Sequence, residues 1–297
     1  MVGQTHTLKH RDRLLKAMKK RYFRQTQKYG IELPKTVTRA LEIDKETGTT
    51  HWKDALEKEM KNVGIAFKIL DEDESVPVGF EHIFCHMVMD IKSDMSRKCR
   101  LVAGASYTEP ECGITYASVV SRESVWIAFM VAALNGLDIL CCDIGNAYLN
   151  APCREKVWTT CGPEFGPNEG KKALIVWALY GLKSSGSSFR SHCSSILQEQ
   201  LGFTMCRADN DVYFRAGVKE DGTEYYEYIL VYTDDILILS TVPDRILKHL
   251  QQFFRIKPES IGPPKEIPGF RCVQVHIQRR RQGVLGLGIG SVCQGGY

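Results

Sequence analysis

Two adjacent carboxylates, Asp234 and Asp235, lie between the apolar runs Tyr228-Ile229-Leu230-Val231 and Ile236-Leu237-Ile238-Leu239, with Tyr232-Thr233 just before them. A third acid, Asp143, closes the run Leu137-Asp138-Ile139-Leu140-Cys141-Cys142-Asp143, 91 positions before Asp234. Acids at the ends of apolar strands suit a hard cation. Mg²⁺ prefers oxygen ligands, keeps several waters, and is usually held by one or two carboxylates plus substrate phosphates. Two such ions about 3.5–4 Å apart can activate an attacking oxygen and stabilise a leaving one in an in-line phosphoryl displacement. A lone Asp-Asp pair is more often a solvated acidic turn, and the second acid-terminated strand is what favours the metal-phosphate reading. Nucleotidyl transfer is the reaction class that needs this arrangement.

The elements around these acids must position them. The runs on either side of Tyr232-Thr233-Asp234-Asp235 read as a hairpin with an acidic tip, because apolar and β-branched residues fill strands while aspartates gather at turns. In a straight strand the two carboxylates would point to opposite faces, so both reach one site only if the chain bends between them. The run ending at Asp143 can neighbour this hairpin in one sheet, and Gly145 and Asn146 permit a sharp turn after it, with Tyr148 beyond. Upstream, Trp52, Ala55, Leu56, Met60 and Val63 recur at helical spacing and Gly64 follows as a stop. Segments 66–70, 84–89 and 100–102 read as strands. Ser121 caps a helix carrying Val125, Ala128, Phe129 and Ala132 that ends near Gly136, and a helix with Phe189, Cys193, Ile196 and Leu197 ends at Gly202. Val212-Tyr213-Phe214-Arg215 reads as an edge strand leading through the Asp221-Gly222 turn into the acidic hairpin.

These motifs, in order, resemble the reverse transcriptase domain of copia-type LTR retrotransposons. The likeness runs through His51-Trp52-Lys53-Asp54-Ala55-Leu56-Glu57-Lys58-Glu59-Met60, Lys98-Cys99-Arg100-Leu101-Val102-Ala103-Gly104 and Val119-Val120-Ser121-Arg122. It continues through Cys142-Asp143-Ile144-Gly145-Asn146-Ala147-Tyr148-Leu149-Asn150-Ala151-Pro152, Gly162-Pro163-Glu164-Phe165-Gly166, Ala178-Leu179-Tyr180-Gly181-Leu182-Lys183-Ser184-Ser185-Gly186, Gly202-Phe203 and Val231-Tyr232-Thr233-Asp234-Asp235-Ile236-Leu237. Collinear motifs over roughly residues 50–260 are more specific than any one of them. The resemblance implies an α+β right-hand polymerase with fingers and palm, an antiparallel palm sheet with covering helices, and an incomplete thumb. It divides the chain into a basic arm or linker at 1–49, fingers and palm at 50–242, and a partial thumb or connection with an irregular tail at 243–297.

Carried over residue by residue, the resemblance makes Asp143 and Asp234 metal ligands and Asp235 the third catalytic acid. It implies two Mg²⁺ ions, with Mn²⁺ as a substitute. Tyr148 falls at the gate that would clash with a ribose 2′-hydroxyl, and Lys98 and Arg100 fall in the segment that contacts the incoming triphosphate, a role that suits either a point charge or a forked donor. Lys183, Gly186 and Tyr232 become contacts to template, primer or phosphate. Many relatives carry glutamine where Ser184 stands. The implied partners are an RNA template, a DNA primer and dNTPs, in an intracellular setting, cytoplasmic within a virus-like particle or nuclear. The rival expectations are a catalytically inactive retroelement remnant that binds nucleic acid and a metal-dependent nuclease using the same acids.

Composition agrees with a soluble globular chain: 297 residues, 43% hydrophobic and 25% charged, with no apolar run long enough to span a membrane and no secretory leader. Eleven cysteines without a C-x-x-C pair point to reduced thiols, and Cys141 and Cys142 read as small apolar strand residues. The net charge of +4 hides an asymmetry, since residues 1–40 carry eleven Lys or Arg against two acids. Such an arm fits a phosphate backbone or a solvated linker equally well, and Arg279-Arg280-Arg281 reads chiefly as a solvated run. His82, Cys85 and His86 lack the distant partner pair of a zinc site. The lysine of Gly181-Leu182-Lys183-Ser184-Ser185-Gly186 precedes the second glycine, unlike a P-loop. The glycine-rich stretch Gly283–Tyr297 departs from the family pattern and reads as a shifted frame or remnant end, and the chain as a fragment of a polyprotein.

Overall fold

The computed structural model describes residues 26–104 and 117–264. Most of the basic arm, the Arg279-Arg280-Arg281 run and the glycine-rich tail lie outside the described residues. The strands in chain order are β1 (Gln27–Lys28), β2 (Ile31–Glu32), β3 (Phe67–Ile69), β4 (Glu81–His82), β5 (Cys85–Ile91), β6 (Arg97–Ala103) and β7 (Asp138–Asp143). They continue with β8 (Val157–Thr160), β9 (Lys172–Ile175), β10 (Thr204–Met205), β11 (Val212–Val218), β12 (Glu224–Tyr232) and β13 (Asp235–Ser240). With the helices between them this is a mixed α+β protein. It divides into two compact units, one of residues 1–108 with 156–182 and the other of 109–155 with 183–297.

In the first unit the helix Val37–Thr47 ends at Gly48, whose left-handed φ of 66° closes the last turn. The next helix, His51–Val63, is capped from a distance. Thr50 makes no side-chain cap, and the buried Asp44 carboxylate accepts instead from the backbone N–H groups of Trp52 and Lys53. The carboxylate thus satisfies two of the orphan donors that open a helix. Trp52, Leu56 and Val63 are the buried residues of that helix, while Ala55 and Met60 stay half-exposed. The β5–β6 hairpin alternates cleanly: Cys99, Leu101 and Ala103 are buried, and Lys98, Arg100 and Val102 face the other way. β1 pairs with β2, and the other four strands of this unit form a sheet in the order β3-β9-β8-β4. Gly181, at φ 95°, is required by close approach: a Cβ there would sit 2.1 Å from the Ala103 carbonyl oxygen.

The second unit is built on a five-stranded antiparallel sheet in the order β10-β11-β12-β13-β7. Strands with apolar residues at every position bury both faces, and this sheet does. Ile229, Val231, Ile236 and Ile238 pack with Phe189, Cys193 and Leu197 of the helix Ser185–Ser195 and its π-helical continuation Ile196–Gln200. Leu230, Leu237 and Leu239 pack on the opposite face with Val125, Ala128 and Ala132 of the helix Arg122–Asn135. That helix is capped by Ser121, which accepts from Ser124, and closed by Gly136 at φ 65°. The helix Pro243–Leu250, expected to open a thumb, places Ile246, Leu247 and Leu250 in the same core as Phe189. The expected edge strand at 212–215 is a correction: β11 is longer and interior, because the short β10 pairs along its outer side.

Candidate active site

The acidic hairpin forms as its sequence requires, with Tyr232 paired to Asp235 and a two-residue loop of Thr233 and Asp234. Thr233 takes φ 57°, while Asp234 does not adopt a positive φ. A positive φ at the first loop position alone is the II′ hairpin pattern, which normally demands glycine there. A β-branched residue in the left-handed region is a genuine outlier, and such strain persists only where surrounding structure over-determines it. Here the two strands and a hydrogen bond from the Ile144 N–H to the Asp234 carbonyl, 2.7 Å, hold the turn. The bend that separates Asp234 from Asp235 is therefore supplied at Thr233.

β7 pairs antiparallel with β13, and the register sets Asp143 directly opposite Asp235. Cross-strand partners share a face, so these two carboxylates emerge on one side of the sheet, beside the Asp234 turn. The crowding shows in Asp235, whose carboxyl is pushed up to about 6 by burial first and then by the charges of Asp234 and Asp143. Lys257 opposes that shift. Its ammonium donates to both oxygens of Asp143, at 2.6 and 2.7 Å.

Residues 255–262 bind the open side of β7. The Asp143 carbonyl accepts from the Lys257 N–H at 3.0 Å, the Gly145 N–H donates to the Arg255 carbonyl at 2.7 Å, and Cys141 and Gly262 exchange backbone bonds. Ser260 Oγ, which donates to the Lys257 carbonyl at 2.7 Å, accepts from the Asp143 N–H at 2.9 Å. Lys257 and Ser260 were not singled out from sequence. Their partner is more than a hundred positions away, and no spacing signals it.

The turn after β7 uses Gly145 and Asn146 for different reasons. Asn146, at φ 52°, supplies the left-handed residue, and Gly145 is needed for room, since its Cβ would meet the Arg255 carbonyl at 3.2 Å. Tyr148 follows in a short 3₁₀ turn with its ring half-buried near Phe189, the centroids 6.4 Å apart. Cys142 is buried and its thiol is pushed up to about 12 by desolvation, so it packs as an apolar residue and is a poor nucleophile.

Lys183 and Gly186 bracket the start of the helix Ser185–Ser195, both half-buried. Ser184 is committed internally: its N–H and hydroxyl both donate to the buried Glu155 carboxylate. Lys98 and Arg100 share a face of β6 in the first unit, where the Arg100 guanidinium lies 4.1 Å from the Tyr180 ring centroid. His82 packs its ring on Trp158 and Phe84, whereas Cys85 and His86 alternate to opposite faces of β5.

A carboxylate trio suits Mg²⁺, which draws much of its coordination from water and phosphate. The donor set fits that ion by its chemistry, and the ammonium seated on both Asp143 oxygens shows that this carboxylate accepts a cation. Among the described residues no group of three His, Cys, Asp or Glu side chains converges into a ready-made cage.

A second buried network holds the sheet's flank. Asp211, 2% exposed, pairs with Arg190 at 2.7 Å and accepts from the Ser118 hydroxyl. Asp209 accepts from the Ser121 N–H and the Ser124 hydroxyl, and these bonds outweigh burial to hold its carboxyl below the usual range.

The chain is 25% identical over 210 residues to the Gag-Pol polyproteins of transposons Ty1-DR4 and Ty1-BL of Saccharomyces cerevisiae. The match covers 68% of this chain and 11–12% of those polyproteins, so the chain spans a small part of its relatives' length. The family model for reverse transcriptase (RNA-dependent DNA polymerase) matches residues 66–274, a stretch that takes in β7, the acidic hairpin and Lys257, and the chain thus belongs to the reverse transcriptase family.

Proposed function

We propose that this chain is the RNA-directed DNA polymerase segment of a copia-type retrotransposon polyprotein, extending a DNA primer on an RNA template with dNTPs. The observation that carries the reading is the register of β7 against β13, which sets Asp143 opposite Asp235 beside the strained turn bearing Asp234. In this reading the second unit is the palm and the first the fingers. Asp143 and Asp234 hold the two Mg²⁺ ions, or Mn²⁺ in their place, and Asp235 completes the acidic trio. Bound there, the ions would acidify a primer 3′-hydroxyl and stabilise the negative charge developing on the departing pyrophosphate.

The chain's own residues do the positioning. Thr233 fixes the direction in which Asp234 leaves the hairpin. Lys257 keeps Asp143 neutralised until a metal cation takes its place. Tyr148 is the gate against a 2′-hydroxyl, Lys98 and Arg100 are the triphosphate contacts, and Lys183, Gly186 and Tyr232 touch the template, primer or phosphate. None of the helices among the described residues is long and apolar enough to cross a membrane. The Gag-Pol relatives support an intracellular setting, in a cytoplasmic particle or the nucleus.

Primer extension on an RNA template tests the reading. Asp234→Asn keeps the shape and removes the charge, and it is expected to abolish incorporation; undiminished extension would refute the assignment. One observation favours a second reading, the catalytically inactive remnant that only binds nucleic acid: the Lys257 ammonium already occupies both oxygens of Asp143. Salt-sensitive binding with no metal-dependent incorporation by the unaltered chain would select it.

A further inference from the structure

The sheet β3-β9-β8-β4 in the first unit has two unlike faces. Phe67, Ala173, Ile175, Val157 and Thr159 are buried on one side. The register aligns Lys68, Leu174, Trp158 and His82 in a single row across all four strands on the other, with Lys172 opposite Thr160 beside it. The one acid of these strands, Glu81, is exposed but pairs with Val157, out of that row. Lys172 Nζ lies 5.8 Å from the Trp158 ring centroid, and Lys68 also reaches Glu74 at 3.3 Å.

At the end of the row three rings meet. His82 lies 4.4 Å from Trp158 and 4.9 Å from Phe84, centroid to centroid. Phe84 is 76% exposed. Its backbone is nevertheless fixed on both sides: the Ile83 N–H donates to the Trp158 carbonyl at 2.9 Å and the Gly104 N–H to the Phe84 carbonyl at 2.7 Å. A Cβ on Gly104 would come within 2.8 Å of that carbonyl oxygen. A large ring held rigidly in solvent contributes little burial to folding, but it is pre-organised to receive a flat partner.

We propose that this face is a stacking platform for unpaired nucleotides, with Phe84 and His82 as the rings that receive bases and Lys172 as a phosphate contact. Aromatic rings interleaved with lysines match the two features every single strand offers, a π-face on each base and a charge on each linkage. The inference rests on the polymerase reading for the presence of an unpaired template strand, and it gives that strand a place on the chain.

The test is fluorescence anisotropy with the full chain and short labelled oligouridylate, its deoxy counterpart, and an abasic strand of equal length. Phe84→Ala and Phe84→Leu are expected to weaken binding of both base-bearing strands about tenfold, while Phe84→Trp retains it. The abasic strand is expected to bind unaltered chain and variants alike. Lys172→Ala is expected to lower the salt slope by about one, with the Phe84 variants leaving it unchanged. Oligonucleotide binding equal in Phe84→Leu and the unaltered chain overturns the proposal, as does abasic binding as tight as that of the uridylate. Phe84-dependent binding without any primer extension would leave the platform standing and remove the polymerase reading. Extension with Phe84-independent binding would remove the platform alone.

Discussion

Replacing Thr233 by glycine separates strain from function at the acidic hairpin. An L-residue in the left-handed region costs roughly 1–2 kcal/mol, and a β-branched one belongs at the upper end. Thr233 holds φ 57° and is only half-buried, so the substitution relieves that cost with little loss of packing. Glycine adds freedom to the unfolded chain, which takes back roughly 0.4–1 kcal/mol. The net expectation is a stabilisation of about 1–1.5 kcal/mol, read as a higher denaturation midpoint at unchanged slope. Primer extension should move the other way. Asp234 would leave a looser turn, and ångström-scale misplacement of a reacting group can cost about a hundredfold in rate, so a fall of tenfold or more is expected. A Thr233→Gly protein no more stable than the original would refute the stored strain. One that is more stable and equally active would refute its link to function.

Three further predictions concern charge. Lys257→Met removes the ammonium on Asp143; since that pair is partly exposed, on the order of 0.5–1 kcal/mol is at stake. Mn²⁺ should then bind about two- to fivefold more tightly, measured from free Mn²⁺ by electron paramagnetic resonance, and equal or weaker binding would count against the pair. Asp211→Ala leaves Arg190 without its buried partner and should destabilise the fold by roughly 3–5 kcal/mol in chemical denaturation; a loss below about 1 kcal/mol would contradict the buried geometry. Burial raises the Glu59 carboxyl above its ordinary value of 4.5, opposed by the bond from the Leu101 N–H and by the charges of Arg100 and Lys98. The folded state thus favours the protonated form, a contribution fully present below the unfolded value and lost as pH rises through the folded one. Glu59→Gln stays neutral and keeps the acceptor, so it should gain stability over the original at pH 7 and not at pH 4; melting curves with no pH-dependent difference would contradict this.

Much of the local structure was legible because it depends on near neighbours. Apolar residues at successive positions from Tyr228 to Leu239 demanded strands buried on both faces, and the two acids between them demanded a turn. Ser121 and Gly136 bounded their helix through capping chemistry that acts within a few residues. Where the sequence misled, a distant partner had intervened. Val212–Arg215 looked like an edge until β10 covered it, and the start of the helix His51–Val63 is capped by Asp44 from the preceding helix, which no local spacing signals.

The amino-acid sequence by itself determined that three carboxylates stand at the ends of apolar strands, since residue type and uninterrupted apolar runs suffice for that. Only the tertiary structure decided that Asp143 faces Asp235, that Lys257 sits on Asp143, and that Thr233 carries the strain. Strand register follows from packing on both faces of the sheet. The ion pair follows from residues 255–262 closing over β7, and the strained φ from two strands that leave only a two-residue loop to join them.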